Sequence, residues 1–523
     1  MTETTRHVGR LSRRINFIAF ASIGLLVALT LLMFKPASRT TAASGKSIQL
    51  FCAAGMRLPI EAIRTSFAAE YGVQIDVQYG GSMTLLSQLQ ISRAADLYLA
   101  ADNDYLEMAI ERGVVCETIP IASMVPVIVV PPGNPKGIHS IGDLLSPELR
   151  VALGNPDQAA IGRHTRAALQ ASGHWERLKE QVTRSGVFKP TVPDVANCAL
   201  LGSVDAAIVW SATAAQYAGL DSIHTPELDA FASQITLGVT SWSDPSAAAL
   251  QAARYITARD RGLPVFARMG YDTTGGDPWE AHPELTFFAG SVNRRALDPV
   301  IQRFEAREGV TINTIYNGCG ILTAQMRTIG DPHATGFPDV YIACDTYYLD
   351  TVAELFESGT CISETDIVLV VAEGNPKHIL HLDDLTRQGI RVAIGQPEQC
   401  TIGVLSKRLL EDAGLYQAVL TRNVVTQTAT SSMLIPAVTT GAADVVLAYR
   451  TDTLAETART DVVDIDSELA KAIQPFAIAK GTDYKSLSQR LFNAIRLAQD
   501  DFEAAGFRWR LVAPAAAPSP VVP

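Results

Sequence analysis

The sequence predicts two tandem α/β domains, each split into two lobes with mostly parallel sheets flanked by helices, behind an N-terminal transmembrane helix. Three observations lead there. An uncharged run of twenty residues lies beside four arginines, the chain repeats itself with a period near 240 residues, and short apolar strands alternate with amphipathic helices inside each repeat.

The apolar run comes first. Arg6, Arg10, Arg13 and Arg14 precede Ile15–Phe34, and Lys35-Pro36 closes it. Twenty residues rising 1.5 Å each give about 30 Å, enough to span a hydrocarbon core. The basic flank stays on the cytoplasmic side, so everything beyond Lys35 is expected in the periplasm or at the cell exterior. Residues 1–14 then form a basic stub and 15–34 a signal-anchor or a cleaved signal peptide. The length of the run favours an anchor retained in the cytoplasmic membrane, whereas the small residues of Thr40–Ser44 would suit a peptidase and a free periplasmic protein. Cys52 lies well beyond the run inside a predicted strand, which argues against a lipoprotein.

The repeat is read next. IQLFCAAGMRLPIEAIRTSF at Ile48–Phe67 aligns with LTFFAGSVNRRALDPVIQRF at Leu285–Phe304, and Phe51 to Phe288 and Tyr79 to Tyr316 are both offset by 237 residues. ADLYLAAD matches PDVYIACD around Asp96 and Asp339. PGNPKGIHSIGDL matches EGNPKHILHLDDL, VALGNPDQAAIG matches VAIGQPEQCTIG, and VDAAIVW matches ADVVLAY. Six matches in one order make a tandem duplication of whole domains, 47–274 and 284–511. The turn-rich Gly275–Pro283 separates them, and the Pro/Ala-rich tail 512–523 is expected to be disordered.

Within copy one, IQLFCA leads to a helix near 58–70, VQIDVQY to one near 83–92, and DLYLA to one near 103–112. The runs Met124–Pro131 and Ile367–Gly374 read as the chain crossing into a second lobe. RVALG opens that lobe's own alternation and DAAIVW returns the chain. Ligands of such sheets sit beyond the carboxyl ends of the strands, here between the lobes.

Composition narrows the function. The 523 residues are 47% hydrophobic and 19% charged, enough apolar material for sizeable cores. The formal charge is −11, but residues 1–46 hold seven Lys/Arg and one acid, so the remaining chain carries a net charge of −17. A general nucleic-acid binder needs a basic surface and is excluded. Seven cysteines at wide spacings, without CxxC, make neither a zinc signature nor a dense disulfide framework. HExxH, GxSxG, Walker A and GxGxxG are all absent from the sequence, so neither an enzyme nor a cofactor is expected. His164, set opposite Val404 of copy two, is read as a surface residue rather than a general base.

The strand-to-helix junctions carry the chemistry. In copy one they are Ala53-Ala54-Gly55, Gly80-Gly81-Ser82, Gln158–Gly162 and Pro193–Asn197. In copy two they are Gly290-Ser291-Val292, Gly318-Cys319-Gly320, Gln399–Gly403 and Thr430-Ser431-Ser432. A helix N-terminus presents unpaired N–H groups and the positive end of the macrodipole, so several converging on one cleft can hold a desolvated anion. One such junction is ordinary capping chemistry. Four matched junctions in each of two copies read as a ligand cleft.

These same segments resemble the periplasmic molybdate-binding proteins of ABC importers, within the type II solute-binding fold. The resemblance rests on FCAAG and FFAGS, YGGSMTLLSQL and YNGCGILTAQM, ADLYLAAD and PDVYIACD, GNPDQAAIG and GQPEQCTIG, and the closing IVW and LAY, and covers about 48–273 and 285–511. It implies a tetrahedral dianion, molybdate or tungstate, held without counter-charge by backbone N–H groups and hydroxyls and passed to an importer permease. The implied contacts in copy one are Ala54 and Gly55, Gly81 and Ser82 (with Met83 beside it), Ile161, Val195 and Trp210. In copy two they are Ser291 or Val292, Cys319 or Gly320, Ile402, Ser431 and Tyr449. No metal ligand of the protein itself is implied.

Both copies depart from that pattern. Copy one has glycine at the first hydroxyl position and Trp210 where a tyrosine is implied, and its Val195–Gly202 segment reads three residues shorter than Ser431–Gly441. Copy two keeps Tyr449 but has Cys319 in place of serine. Cys319, Cys344 and Cys400 all fall at its junctions, against Ser82, Ala101 and Ala159 in copy one. They read either as small buried residues or as a disulfide or soft-ligand cluster. Asp102 and Asp345 read as helix N-caps, with an acceptor for a protonated anion as the alternative. The expected function is an extracytoplasmic oxyanion-binding protein. A membrane-anchored sensor or scaffold, and a sulfate or phosphate binder, are the alternatives.

Overall fold

The computed structural model describes residues 47–242, 247–454 and 456–511. The expectations for 1–14, 15–34 and 512–523 concern residues outside these. Among the described residues no helix is long and apolar enough to cross a membrane.

Each copy begins as the alternation predicts. The strand Ile48–Ala53 buries Leu50 and Cys52, and the helix Arg57–Tyr71 presents Ile60, Ile63 and Phe67 on one face. It stops at Gly72, whose φ of 68° is left-handed. Copy two repeats the design: the helix Arg294–Glu308 buries Leu297, Val300 and Phe304 and ends at Gly309, φ 66°.

In copy one the first-lobe sheet runs Asp272–Thr273, Val115–Met124, Ser233–Thr240, Leu97–Ala100, Ile48–Ala53, Ile75–Gly80. The second-lobe sheet runs Val187–Lys189, Val151–Gly154, Ala206–Trp210, Pro126–Val130, Asp221–Ile223. Both sheets are mixed, not mostly parallel. The returning strand Ser233–Thr240 opposes its neighbours in the first lobe, and the entering strand Pro126–Val130 opposes its neighbours in the second. A chain that leaves one lobe and comes back must supply such reversed strands.

The two copies differ at this crossing. In copy two Thr360–Ala372 is one strand of 13 residues through both lobes. Up to Asp366 it pairs with Lys471–Ile478 of the first lobe, and from Ile367 with Val445–Tyr449 of the second, so the two sheets fuse into one of ten strands. Copy one has Pro126 where copy two has Ile367. Proline offers no N–H to a ladder, and the strand breaks at Val125, whose N–H takes the Ser211 hydroxyl instead (3.2 Å).

Buried apolar side chains fall into two clusters, one from Ile48 to Trp279 and one from Leu285 to Phe507, so each copy owns its core. Charged groups join the copies. Glu308 is fully buried; its carboxylate accepts from Arg490 (2.6 Å), and its backbone carbonyl accepts from Arg254 (2.7 Å). Arg490 also meets Glu117 of copy one (3.1 Å), and Arg307 pairs with the same Glu117. Burial pushes the Glu308 carboxyl up and holds the Arg254 guanidinium down to about 10. Asp277, in the connection between the copies, accepts from the Ser486 and Leu487 N–H groups at 2.9 Å each, capping the helix Lys485–Arg496.

A second buried pair ties the lobes of copy one together. Asp102, the N-cap of Asn103–Glu111 in the first lobe, is bonded to His164 of the second-lobe helix Ala160–Ala171. The Ser233 hydroxyl donates to the same carboxylate oxygen (2.9 Å), and the other ring nitrogen of His164 meets Phe231 O at 3.2 Å. His164 is therefore an inter-lobe residue and not the surface residue expected, its side chain only 14% exposed. Leu405 takes its place in copy two. Burial opposes ionisation of both partners, but the pairing outweighs it: Asp102 lies below the ordinary carboxylate range and His164 above the ordinary imidazole value.

Two predictions follow from these buried charges. Glu308→Gln removes one charge and leaves Arg254 and Arg490 buried without it, at a cost of about 3–5 kcal/mol in urea unfolding, and adding Arg490→Met recovers part of the loss. His164 holds its proton more tightly when folded, so its contribution is complete below about pH 6.5 and lost as pH rises through its raised value. Asp102 works in the opposite sense, its contribution lost as pH falls below about 3.9. Calorimetric melting should therefore fall on the alkaline side of neutrality in the wild type, and that slope should flatten in His164→Leu and in Asp102→Asn.

Candidate functional site

Between the lobes of copy one lies a small cavity lined by Ala53, Ala54, Gly55, Gly80, Gly81, Ser82, Ala101, Ala159, Ala160, Ile161, Thr191, Val192 and Trp210. No charged side chain lines it.

Backbone geometry turns the junctions towards it. A helix's first N–H groups have no intrahelical partner. In Ser82–Ser92 the first such bond is Leu85 N–H to Gly81 O (2.9 Å), so Ser82 and Met83 precede it. In Ala160–Ala171, Gly162 and Arg163 bond back to Ala159 O (3.1 and 3.2 Å), leaving Ala160 and Ile161 at the opening. Ser82 is 1% exposed; its hydroxyl oxygen accepts the Ala101 N–H (3.2 Å), which leaves its hydrogen to donate. Trp210, also 1% exposed, meets His164 edge-on with ring centroids 5.2 Å apart.

The contact between junctions is backbone on backbone. A Cβ on Gly81 would lie 2.4 Å from Gln158 O and 2.8 Å from Pro190 O. On Gly162 it would meet Gly154 O at 2.4 Å. Only glycine lets the junctions of opposite lobes meet at Gly81, and a helix start press on its own strand end at Gly162, this closely.

Six of the seven residues expected in copy one line this cavity: Ala54, Gly55, Gly81, Ser82, Ile161 and Trp210. Val195 does not. It is buried in the third turn-forming helix, Val192–Leu200, and its N–H is bonded to Thr191 O (3.2 Å). Thr191 and Val192 stand there instead. The signal was present as Thr191-Val-Pro-Asp194, a threonine with an acid three residues on, and the Thr191 hydroxyl donates to Asp194 at 2.5 Å. The matching strand pairs Gly154–Lys189 and Gly395–Thr428 set Val192 opposite Ser431. Counted so, the two copies have equal spacing to Gly202 and Gly441, and the three-residue shortening expected in copy one does not exist.

Copy two converges in the same way. Cys319 and Gly320 precede the first intrahelical bonds to Gly318 O, Thr401 and Ile402 precede those to Cys400 O, and Ser431 follows the N-cap Thr430. A Cβ on Gly318 would lie 2.5 Å from Gln399 O and 2.7 Å from Ala429 O. The turn Ser291–Asn293 packs against Ser431–Met433. The buried hydroxyls of Tyr449, Tyr341 and Thr401 have no hydrogen-bond partner among the described residues. Asp345 caps its helix as expected, accepting from Tyr347 N–H (3.0 Å), and also takes the Ile473 N–H (3.0 Å). Asp452 was not anticipated: its buried carboxyl is pushed up to about 6.

The sulfurs set this cleft apart. Cys319 Sγ accepts the Cys344 N–H (3.2 Å), as Ser82 does from Ala101, and the Cys319 and Cys344 sulfurs are 3.0 Å apart. Cys400 Sγ lies against Gln396 O and Thr428 O, 3.6 Å from each.

The chain is 29% identical over 227 residues to the molybdate-binding protein ModA of Mycobacterium tuberculosis, covering 42% of this chain and 82% of that protein. It is 28% identical over 167 residues to the molybdate-binding protein ModA of Escherichia coli, covering 30% and 63%. Among solved structures, the Azotobacter vinelandii periplasmic molybdate-binding protein aligns over 43% of this chain and 98% of its own, at 16% identity and a TM-score of 0.39. The profile of the bacterial extracellular solute-binding protein family matches residues 48–272 and again 285–508, so the chain belongs to that family and carries its domain twice.

Proposed function

We propose that the chain is an extracytoplasmic capture protein for a tetrahedral oxyanion, molybdate or tungstate first, which delivers its ligand to the permease of an ABC importer. The observation that carries the reading is the uncharged cavity of copy one, ringed by helix N-termini and the Ser82 hydroxyl. Such donors stabilise a dianion through fixed partial charges and hydrogen bonds without a cation. The contacts proposed are Ala54, Gly55, Gly81, Ser82, Ile161, Val192 and Trp210 in copy one. In copy two they are Ser291, Val292, Cys319, Gly320, Ile402, Ser431 and Tyr449.

Donors without acceptors favour an anion that carries no proton. Hydrogen phosphate would need a carboxylate, and Asp102 is engaged by His164, Ser233 and the Asp104 N–H. Sulfate shares the charge and shape of molybdate and is the second ligand to try. The relatives named molybdate-binding support molybdate over it. Residues 15–34 would hold the protein to the outer face of the cytoplasmic membrane, or be removed to free it in the periplasm.

Isothermal calorimetry of the chain from residue 47 onward tests this. Molybdate or tungstate is expected to bind and phosphate not to compete. Ser82→Ala should weaken binding about 10- to 100-fold, the value of one hydrogen bond to a charged group. Absence of binding by molybdate, tungstate and sulfate alike would remove the reading.

A further inference from the structure

The two copies build the same junctions with different atoms, and the difference is concentrated in three positions. Copy one has Ala53, Ser82 and Ala101 where copy two has Gly290, Cys319 and Cys344. The three changes fit one another. A Cβ on Gly290 would lie 2.2 Å from Cys344 Sγ and 2.7 Å from Cys319 Sγ, so the loss of a methyl group at the strand end makes room for two sulfurs. The sulfurs sit 3.0 Å apart, about 1 Å more than a disulfide bond. Both residues are buried, Cys319 fully and Cys344 to within 5%.

We propose that Cys319 and Cys344 are a reversible dithiol–disulfide pair, and that its oxidation closes the second cleft to anions. The second clause rests on the oxyanion reading above; the first does not.

The chemistry is thiol–disulfide exchange with a disulfide-bearing oxidant such as oxidised glutathione. The thiolate of one cysteine attacks one sulfur of the oxidant, breaking its S–S bond and releasing one thiol. The thiolate of the other then attacks the protein sulfur of that mixed disulfide and releases the second thiol. The pair loses two protons and two electrons, and the oxidant's disulfide becomes two thiols. Burial opposes ionisation of Cys319, but the Cys344 thiol and N–H beside it outweigh that, bringing its thiol below the ordinary value. Cys344 is raised, first by its bond to Cys319 and then by burial. Cys400 is held against carbonyl oxygens and burial pushes its thiol up to about 11, so it stays out of the exchange. Once the bond forms, neither sulfur carries a hydrogen to donate, and the cleft loses the counterpart of the Ser82 hydroxyl.

The test uses the chain from residue 47 onward, treated with oxidised glutathione or with a reducing dithiol. Alkylation in denaturant followed by peptide mass analysis reads the sulfurs, and calorimetry with molybdate reads the clefts. The expected result is a Cys319–Cys344 cross-link that the dithiol reverses, with molybdate stoichiometry falling from two per chain when reduced to one when oxidised. Cys344→Ala, which restores the residue of copy one, should abolish both the cross-link and the redox dependence. Alkylation of all seven cysteines after oxidation, or a cross-link from Cys319 to Cys400, would overturn the pair. A cross-link with unchanged stoichiometry would overturn the closure. A reversible Cys319–Cys344 cross-link in a chain that binds no molybdate in either state would uphold the pair and overturn the oxyanion reading instead.

Discussion

The constraint on which the rest depends is contact between bare backbones. Gly81 and Gly318 each sit where a single Cβ would strike two carbonyl oxygens of the opposite lobe. Gly162 and Gly403 press a helix start onto the strand end that precedes it, with Gly154 O and Gly395 O as the atoms a Cβ would meet. Partial charges at a helix N-terminus act over roughly one turn, so N-termini from two lobes can serve one ligand only if they stand this close. Small residues at the junctions are therefore what lets the dipoles converge, as the proposed site requires. A charged side chain there would hold an anion at a greater distance and would need its own desolvation.

A net charge of −17 beyond residue 46 is compatible with the anion proposed as ligand. Charges spread over the surface are screened beyond about 8 Å at physiological ionic strength. They slow the approach of a dianion more than they weaken its hold once it is desolvated among N–H groups.

The duplication, the two-lobed α/β plan and most junction residues were legible in the sequence, because glycine pairs and strand-end motifs recur at nearly constant offsets. Three features were not. The family resemblance implies Val195, whereas the strand register places Val192 opposite Ser431, and a Thr-x-x-Asp cap marks the helix start. The broken crossing at Pro126 against the continuous strand at Ile367 was visible as a residue difference, but its effect depends on which neighbour each half of the strand pairs with. His164 looked like a surface residue because its partner, Asp102, lies 62 positions away on the other lobe. Long-range pairs of this kind leave no local pattern.

The pairing of the copies has a mechanical consequence. Among the described residues, the ion pairs that cross between copies join Glu117, Arg254 and Arg259 to Arg307, Glu308, Asp483 and Arg490. All of these belong to the first lobes or to the helices packed on them. Three arginines share the buried Glu308 and the half-buried Glu117 carboxylates, so separating the copies would strip these charges of their partners. The first lobes are thus held to each other, while the second lobes carry none of these pairs. Closing either cleft by a hinge motion moves a second lobe against this common base, and the other cleft need not move with it. Within copy one the His164–Asp102 bond acts on that motion, since it joins the moving lobe to the base beside Trp210. Copy two has Leu405 there and a pair of sulfurs at its junction. The same scaffold therefore holds one cleft with a titratable bond and sets an oxidisable pair in the other, and the two can respond to different conditions.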